Sequence, residues 1–169
     1  MAKQTPLEHV LSRLEAWLRR HRSRYLKELH PGATAKDLTV LDAALGTPAP
    51  DELRTLLAWH NGQDFEDAGC FQEDWMLLST TDIVQARRDL TDGWAKNLIP
   101  FLDDDAGSYL GLDTASAGHP ICSYVEDEPA RRRVVAPSLT AWLQEFVSAV
   151  EKGQYHEDPE RGSFLKTGS

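Results

Sequence analysis

The sequence predicts an α+β domain: a twisted, mainly antiparallel sheet with helices packed on one side, and a long amphipathic helix at the N-terminus. Three observations predict it. Apolar residues recur at helical spacing through the first 60 residues and again from Leu139 to Val150. Between them, short apolar runs are separated by gaps too short for parallel crossovers. The chain is 169 residues long, enough for one domain to bury a core without metal or disulfide staples.

The N-terminal helix is predicted over Pro6 to Leu29, where Leu7, Val10, Leu11, Leu14, Leu18, Tyr25 and Leu29 form one stripe. Thr5-Pro6 supplies its N-cap and first-turn proline. After His30-Pro31-Gly32, Thr34 and Asp37 form a capping-box pattern opening a second helix with Leu38, Leu41 and Leu45, closed by Gly46. A third helix starts near Pro50, carries Leu53, Leu56, Leu57 and His60, and stops at Asn61-Gly62. Trp75 to Leu78 reads as a short strand, and Ser79-Thr80-Thr81-Asp82 as the cap of a helix bearing Ile83, Val84, Ala86, Arg87 and Leu90. Leu98 to Leu102, Tyr109 to Leu112, Pro120 to Val125 and Arg132 to Val135 then form a meander, joined by DDDAGS, DTASAGH and EDEPAR. The last helix has Leu139, Trp142, Leu143, Phe146, Val147 and Val150 on one face between Ser138 and Gly153. Residues 156–169, rich in Gly, Ser, Pro and charge, read as a flexible tail.

Hydrophobic residues make up 41% and charged residues 27%, which fits a folded globular chain rather than a disordered or fibrous one. The formal net charge of −9 argues against direct nucleic-acid binding, which needs a basic face, and suits a basic partner. The charge is uneven: residues 1–30 hold seven Lys or Arg against three acids, leaving −13 on the remainder. Such a basic helix either meets an acidic partner or lies on its own acidic domain. No apolar run is long enough to span a bilayer and the N-terminus lacks a signal-peptide pattern, so a cytoplasmic location is expected.

Residues that could carry chemistry are scattered. Cys70 and Cys122 form no CxxC pair and read as reduced structural thiols, and acids near Cys70 work against a thiolate. The six histidines include no H-E-x-x-H, and the His119–Cys122 spacing is half a zinc site at best. Asp103-Asp104-Asp105 departs from the calcium-loop template and reads as a solvated hairpin loop. Walker, G-x-G-x-x-G and G-x-S-x-G patterns are missing. No catalytic residue, cofactor or metal is therefore expected. Acids gather in three loops, with Asp64, Glu66, Asp67, Glu73 and Asp74 before the first strand, Asp103 to Asp105 in the hairpin, and Glu126-Asp127-Glu128 before the last strand. If those loops share one end of the sheet, they form a patch able to steer a cationic protein.

The ordered set PGATAKDLTVLDAALGTPAPDELRTLLAWHNGQ, WMLLSTTDI, LIPFLDDDAGSYLGLD and APSLTAWLQEFVSAVEKGQY resembles the SUKH superfamily, in its fungal cell-wall-regulator and bacterial immunity-protein branch. The likeness spans roughly residues 31–155, which sets a domain organisation of a helical extension (1–30), a SUKH-like domain (31–155) and a tail. It implies a non-enzymatic protein-binding function: an immunity protein that neutralises a polymorphic toxin, such as a nuclease, or a regulatory interaction module. For the immunity role, the partner-binding candidates are Asp64, Glu66, Asp67, Glu73, Asp74, Asp103, Asp104 and Asp105, with Trp75 or Tyr109 as aromatic anchors. Trp17, Trp59, Trp94 and Trp142 are assigned to packing.

Overall fold

The structure, a computed structural model, describes residues 2–66 and 69–168. Its helices begin where the local chemistry predicts. Thr5 and Glu8 form a reciprocal capping box at the start of α1 (Pro6–His21), and Thr34 with Asp37 does the same for α3 (Ala35–Leu45). Gly46 closes α3 in the left-handed conformation that glycine adopts without a steric penalty. Helix α4 (Asp51–Trp59) follows, and Ser79 with Asp82 forms a third box at the start of α5 (Thr80–Arg87).

Between α1 and α3 the predicted single helix is broken. Arg22 leaves helical geometry at φ −137°, ψ 48°, and a short helix α2 (Ser23–Glu28) resumes after it. The amide of Arg22 still donates to the Leu18 carbonyl, and Leu26 donates to the carbonyl of Arg22. The apolar periodicity therefore runs through the break, which is why spacing alone does not reveal it.

A five-stranded sheet is built from β1 (Met76–Leu77), β2 (Leu98–Asp103), β3 (Ser108–Asp113), β4 (Ile121–Val125) and β5 (Arg133–Ala136), in that spatial order. Every pairing is antiparallel, as short connections require. A 3₁₀ turn, Gly93–Asn97, leads into β2. Gly62 brings the chain from α4 onto the sheet: its φ is +75°, and a Cβ there would lie 2.3 Å from the Ser79 nitrogen. Next to it Gln63 is buried, and its side-chain oxygen accepts from Tyr25 Oη–H and from the Leu77 amide.

The inner face of the sheet, with Ile99, Leu112 and Ile121, packs with Leu14 of α1, Leu53 of α4 and Leu143 of α6 (Leu139–Glu151) in one core. Successive strand residues face opposite ways, so Leu98 and Cys122 lie on the outer face, where Leu90 and Ala95 join them in a second, smaller cluster.

The C-terminal segment differs from the flexible tail its composition suggests. Residues Tyr155–Glu157 (β6) and Phe164–Lys166 (β7) form an antiparallel hairpin, and Phe164 is 2% exposed in the main core. Asp158 organises the turn by accepting from the amide of Glu160. One buried aromatic in a polar stretch decides the outcome, because its burial outweighs the solubility of its neighbours.

Candidate functional site: the acidic end of the sheet

The register fixes where the acidic loops emerge. Met76 pairs with Asp103, Asp103 with Tyr109, Ser108 with Val125, and Ser123 with Arg133. The segment entering β1, the β2–β3 hairpin and the β4–β5 loop therefore leave the sheet at the same end. Glu73 and Asp74, Asp103 to Asp105, and Glu126 to Glu128 are brought together by strand pairing across more than fifty residues of chain.

Two of the hairpin carboxylates build the loop. Asp103 Oδ1 accepts from the Asp105 amide at 2.7 Å, and Asp104 Oδ1 accepts from the amides of Ala106 and Ser108 at 2.9 Å each. Gly107 sits at φ +89°, and a Cβ there would meet Glu126 Oε2 at 2.3 Å, so its bareness lets Glu126 lie against the hairpin. Burial pushes the Asp103 carboxyl above its ordinary range despite the Asp105 amide, and Asp104, Asp105 and Asp82 push it the same way. Asp105 is exposed, and its carboxylate accepts no hydrogen bond among the described residues.

Tyr109 stands beside Asp103 on the outer face. Burial raises its phenol, reinforced by Asp103, Asp89, Asp104 and Glu126. Its ring is 6.3 Å from that of Tyr124, and Tyr124 is 6.3 Å from Trp94. Trp94 donates its indole N–H to the Pro129 carbonyl at 3.0 Å, tying the 3₁₀ turn to the β4–β5 loop. All three rings are half-buried.

The remaining candidates are dispersed over other contacts. Asp64 accepts from His30 Nε2 at 2.8 Å, and this hydrogen bond is the main reason that imidazole's pKa is raised. Glu66 is exposed, and Asp67 lies outside the described residues. Asp74 accepts from the hydroxyl of Ser163, while Glu73 exchanges backbone hydrogen bonds with Phe164, so both are fastened to the C-terminal hairpin. Trp75 is half-buried against the main core, as Tyr109 is. Sequence reasoning assigned Trp94 to packing and Asp82 to a helix cap, and did not single out Tyr124 or Asp89. A signal for Tyr124 exists: counting back from the 113–120 turn pairs it with Tyr109.

Both cysteines are buried and free, and burial raises each thiol above its ordinary pKa. His60 is hydrogen-bonded on both ring nitrogens, to the His30 carbonyl and to Glu15. Among the described residues, no group of three or more His, Cys, Asp or Glu is placed to hold a metal ion. A cleft of about 640 Å³ lies between Arg22, Arg24, Arg161 and Glu157, Asp158, Glu160. Its mixed charges favour neither an anion nor a cation, although buried Arg22 Nη1 lacks a hydrogen-bond partner.

The fold and the end of its sheet define an α+β domain whose concentrated chemistry lies on a charged, aromatic surface. Residues 32–145 match the SMI1 / KNR4 family (SUKH-1), and the chain belongs to that family. Membership makes it a protein-interaction domain. A search of curated proteins finds no match. No helix among the described residues is long and apolar enough to cross a membrane.

Proposed function

We propose that this chain is a non-catalytic, cytoplasmic immunity-type protein that neutralises a basic toxin domain, such as a nuclease, by holding the acidic end of its sheet over the toxin's cationic cleft. The observation that carries this is the strand register, which gives three acidic loops a common exit. A net charge of −9 adds long-range steering toward a basic partner. No catalytic group is needed: occlusion by a preorganised surface inhibits by itself.

The test uses charges that do not build the loops. Asp105→Lys with Asp127→Lys is expected to weaken capture of a toxin-domain protein by about tenfold at low salt, as expected when rim charges that steer association are reversed. The melting temperature should stay within a few degrees, as surface substitutions cost little. Undiminished capture by the double variant overturns the reading. A regulatory-module role is favoured by one observation, the exposed basic side chains Arg20, Arg24 and Lys27 on α1 and α2. Recovery of endogenous signalling or envelope-synthesis proteins in a salt-resolved pull-down, lost on substituting those three residues, supports that role instead.

A further inference from the structure

The outer face of the sheet carries exposed apolar side chains beside half-buried rings. Val134, exposed and paired with Cys122 in the ladder, lies on this face, and the register shift beside it leaves Val135 exposed as well. Scattered exposed valines need no explanation, but grouped ones beside half-buried rings mark a contact surface. Leu90 and Ala95 cover one part of this face at Leu98 and Cys122. Tyr109 and Tyr124 continue it toward the acidic end, and Val134 flanks it beside Cys122. Arg132 acts electrostatically on Cys122, and its charge is matched by Asp113 at 2.6 Å.

Three features favour one kind of occupant. The rings are pinned: Trp94 by its bond to the Pro129 carbonyl, and Tyr109 and Tyr124 by their places in the ladder. Carboxylates gather at Tyr109: Asp103 pairs with it in the ladder, and Asp104, Asp89 and Glu126 also act on its phenol. Aromatic faces attract cations electrostatically, and neighbouring carboxylates add to that attraction while leaving apolar stems free to lie on the valines.

We propose that this face seats a cationic side chain of the protein partner, an arginine or lysine lying over Tyr109 and Tyr124 with Trp94 as its wall and Asp103 and Glu126 beside it. The assignment rests on the reading that the partner is basic and locates its anchoring contact. It also makes Trp94 and Tyr124 binding residues, and gives the acidic loops the lesser role of steering the partner toward them.

The experiment uses the full chain and a decapeptide alternating arginine and leucine, with a control in which citrulline replaces arginine. Proton–nitrogen spectra separate the indole signals of the five tryptophans. The arginine peptide should shift the Trp94 indole and the amides of β3 and β4, and its binding should weaken with salt. Tyr109→Leu with Tyr124→Leu, which keeps apolar bulk but removes the π faces, should lower affinity about tenfold. A Trp94 shift in the wild-type protein supports the proposal even if that variant fails to fold. Equal binding of the citrulline peptide overturns the cationic seat. Shifts of the same residues with protein concentration alone, without peptide, overturn the occupant in favour of a second copy. Loss of binding in Asp105→Lys/Asp127→Lys with an unmoved Trp94 overturns this inference while leaving the acidic-end reading intact. Indifference of binding to both variants removes both.

Discussion

Asp113 ends β3 with its carboxyl 5% exposed, and the surroundings decide its charge. Burial drives the carboxyl upward, but Arg132, the Ala115 amide and the Ser116 hydroxyl outweigh it, so its pKa falls below the ordinary value. A carboxyl lowered on folding stabilises the native state above its unfolded pKa of about 3.9 and loses that contribution as pH falls through the folded value. The pair should therefore hold at neutral pH and fail only below about pH 4. Arg132→Ala leaves a buried carboxylate without its cation and should cost about 2 kcal/mol at pH 7. It should also move the acid limb of the stability curve to higher pH, because burial is then less opposed. Denaturant midpoints between pH 3 and 7 check both, and a variant matching the parent across that range contradicts the assignment. The aspartate at the end of a Gly-Leu-Asp strand is visible in the sequence, but its cation is not. Arg132 is one of three consecutive arginines, and only the tertiary path selects it.

Among the elements, the β6–β7 hairpin changes most between sequence and structure. Phe164 stacks at 4.1 Å from the Arg22 guanidinium, which also lies 4.2 Å from the Tyr25 ring. Arg22 Nε donates to Glu157 at 2.6 Å and Nη2 to the Cys70 carbonyl at 3.0 Å. The break between α1 and α2 thus turns an arginine inward to join the hairpin to the segment before β1. Cys70 donates its amide to the Gly162 carbonyl, and Tyr155 accepts from Gln72, so the hairpin also holds the loop that carries Glu73 and Asp74. Phe164→Ala should destabilise the protein by about 3–5 kcal/mol, the range for losing a buried phenylalanine. Hydrogen exchange at the Cys70 and Glu73 amides should quicken more than at β3. Equal protection at those sites would show that the hairpin does not hold the loop.

At the scale of the whole molecule, the family match ends on both sides before the core does. Residues 32–145 leave out α1, α2 and the hairpin, yet Leu7, Val10, Leu11, Leu14, Leu18 and Phe164 are all in the main cluster. The two flanks meet each other: Trp17 lies 5.9 Å from Phe164, and Arg13 pairs with Glu151 at the end of α6. Removing residues 1–29 should therefore unfold the protein, with loss of near-ultraviolet dichroism and of cooperative melting. A truncated chain that melts cooperatively near the parent temperature would mean that α1 is an independent docking arm. The basic helix lies partly on its own acidic domain through Arg13 and Arg22, while Arg20, Arg24 and Lys27 remain exposed. The intramolecular reading of the charge asymmetry is thus realised at Arg13 and Arg22.

Local chemistry in the chain determined most of the elements and their order, but neither the break at Arg22 nor the β6–β7 hairpin. Capping boxes at Thr5, Thr34 and Ser79, a glycine stop at Gly46, and short turns between apolar runs act over three to eight residues, where chain connectivity enforces proximity. It also determined the antiparallel meander, and with it the possibility of a common loop exit. Tertiary structure alone decided that the exit is shared, that Trp94 reaches Pro129, that Arg22 turns inward and that Phe164 enters the core. Each of those depends on groups far apart in the chain, whose meeting is set by side-chain packing and strand register rather than by local spacing.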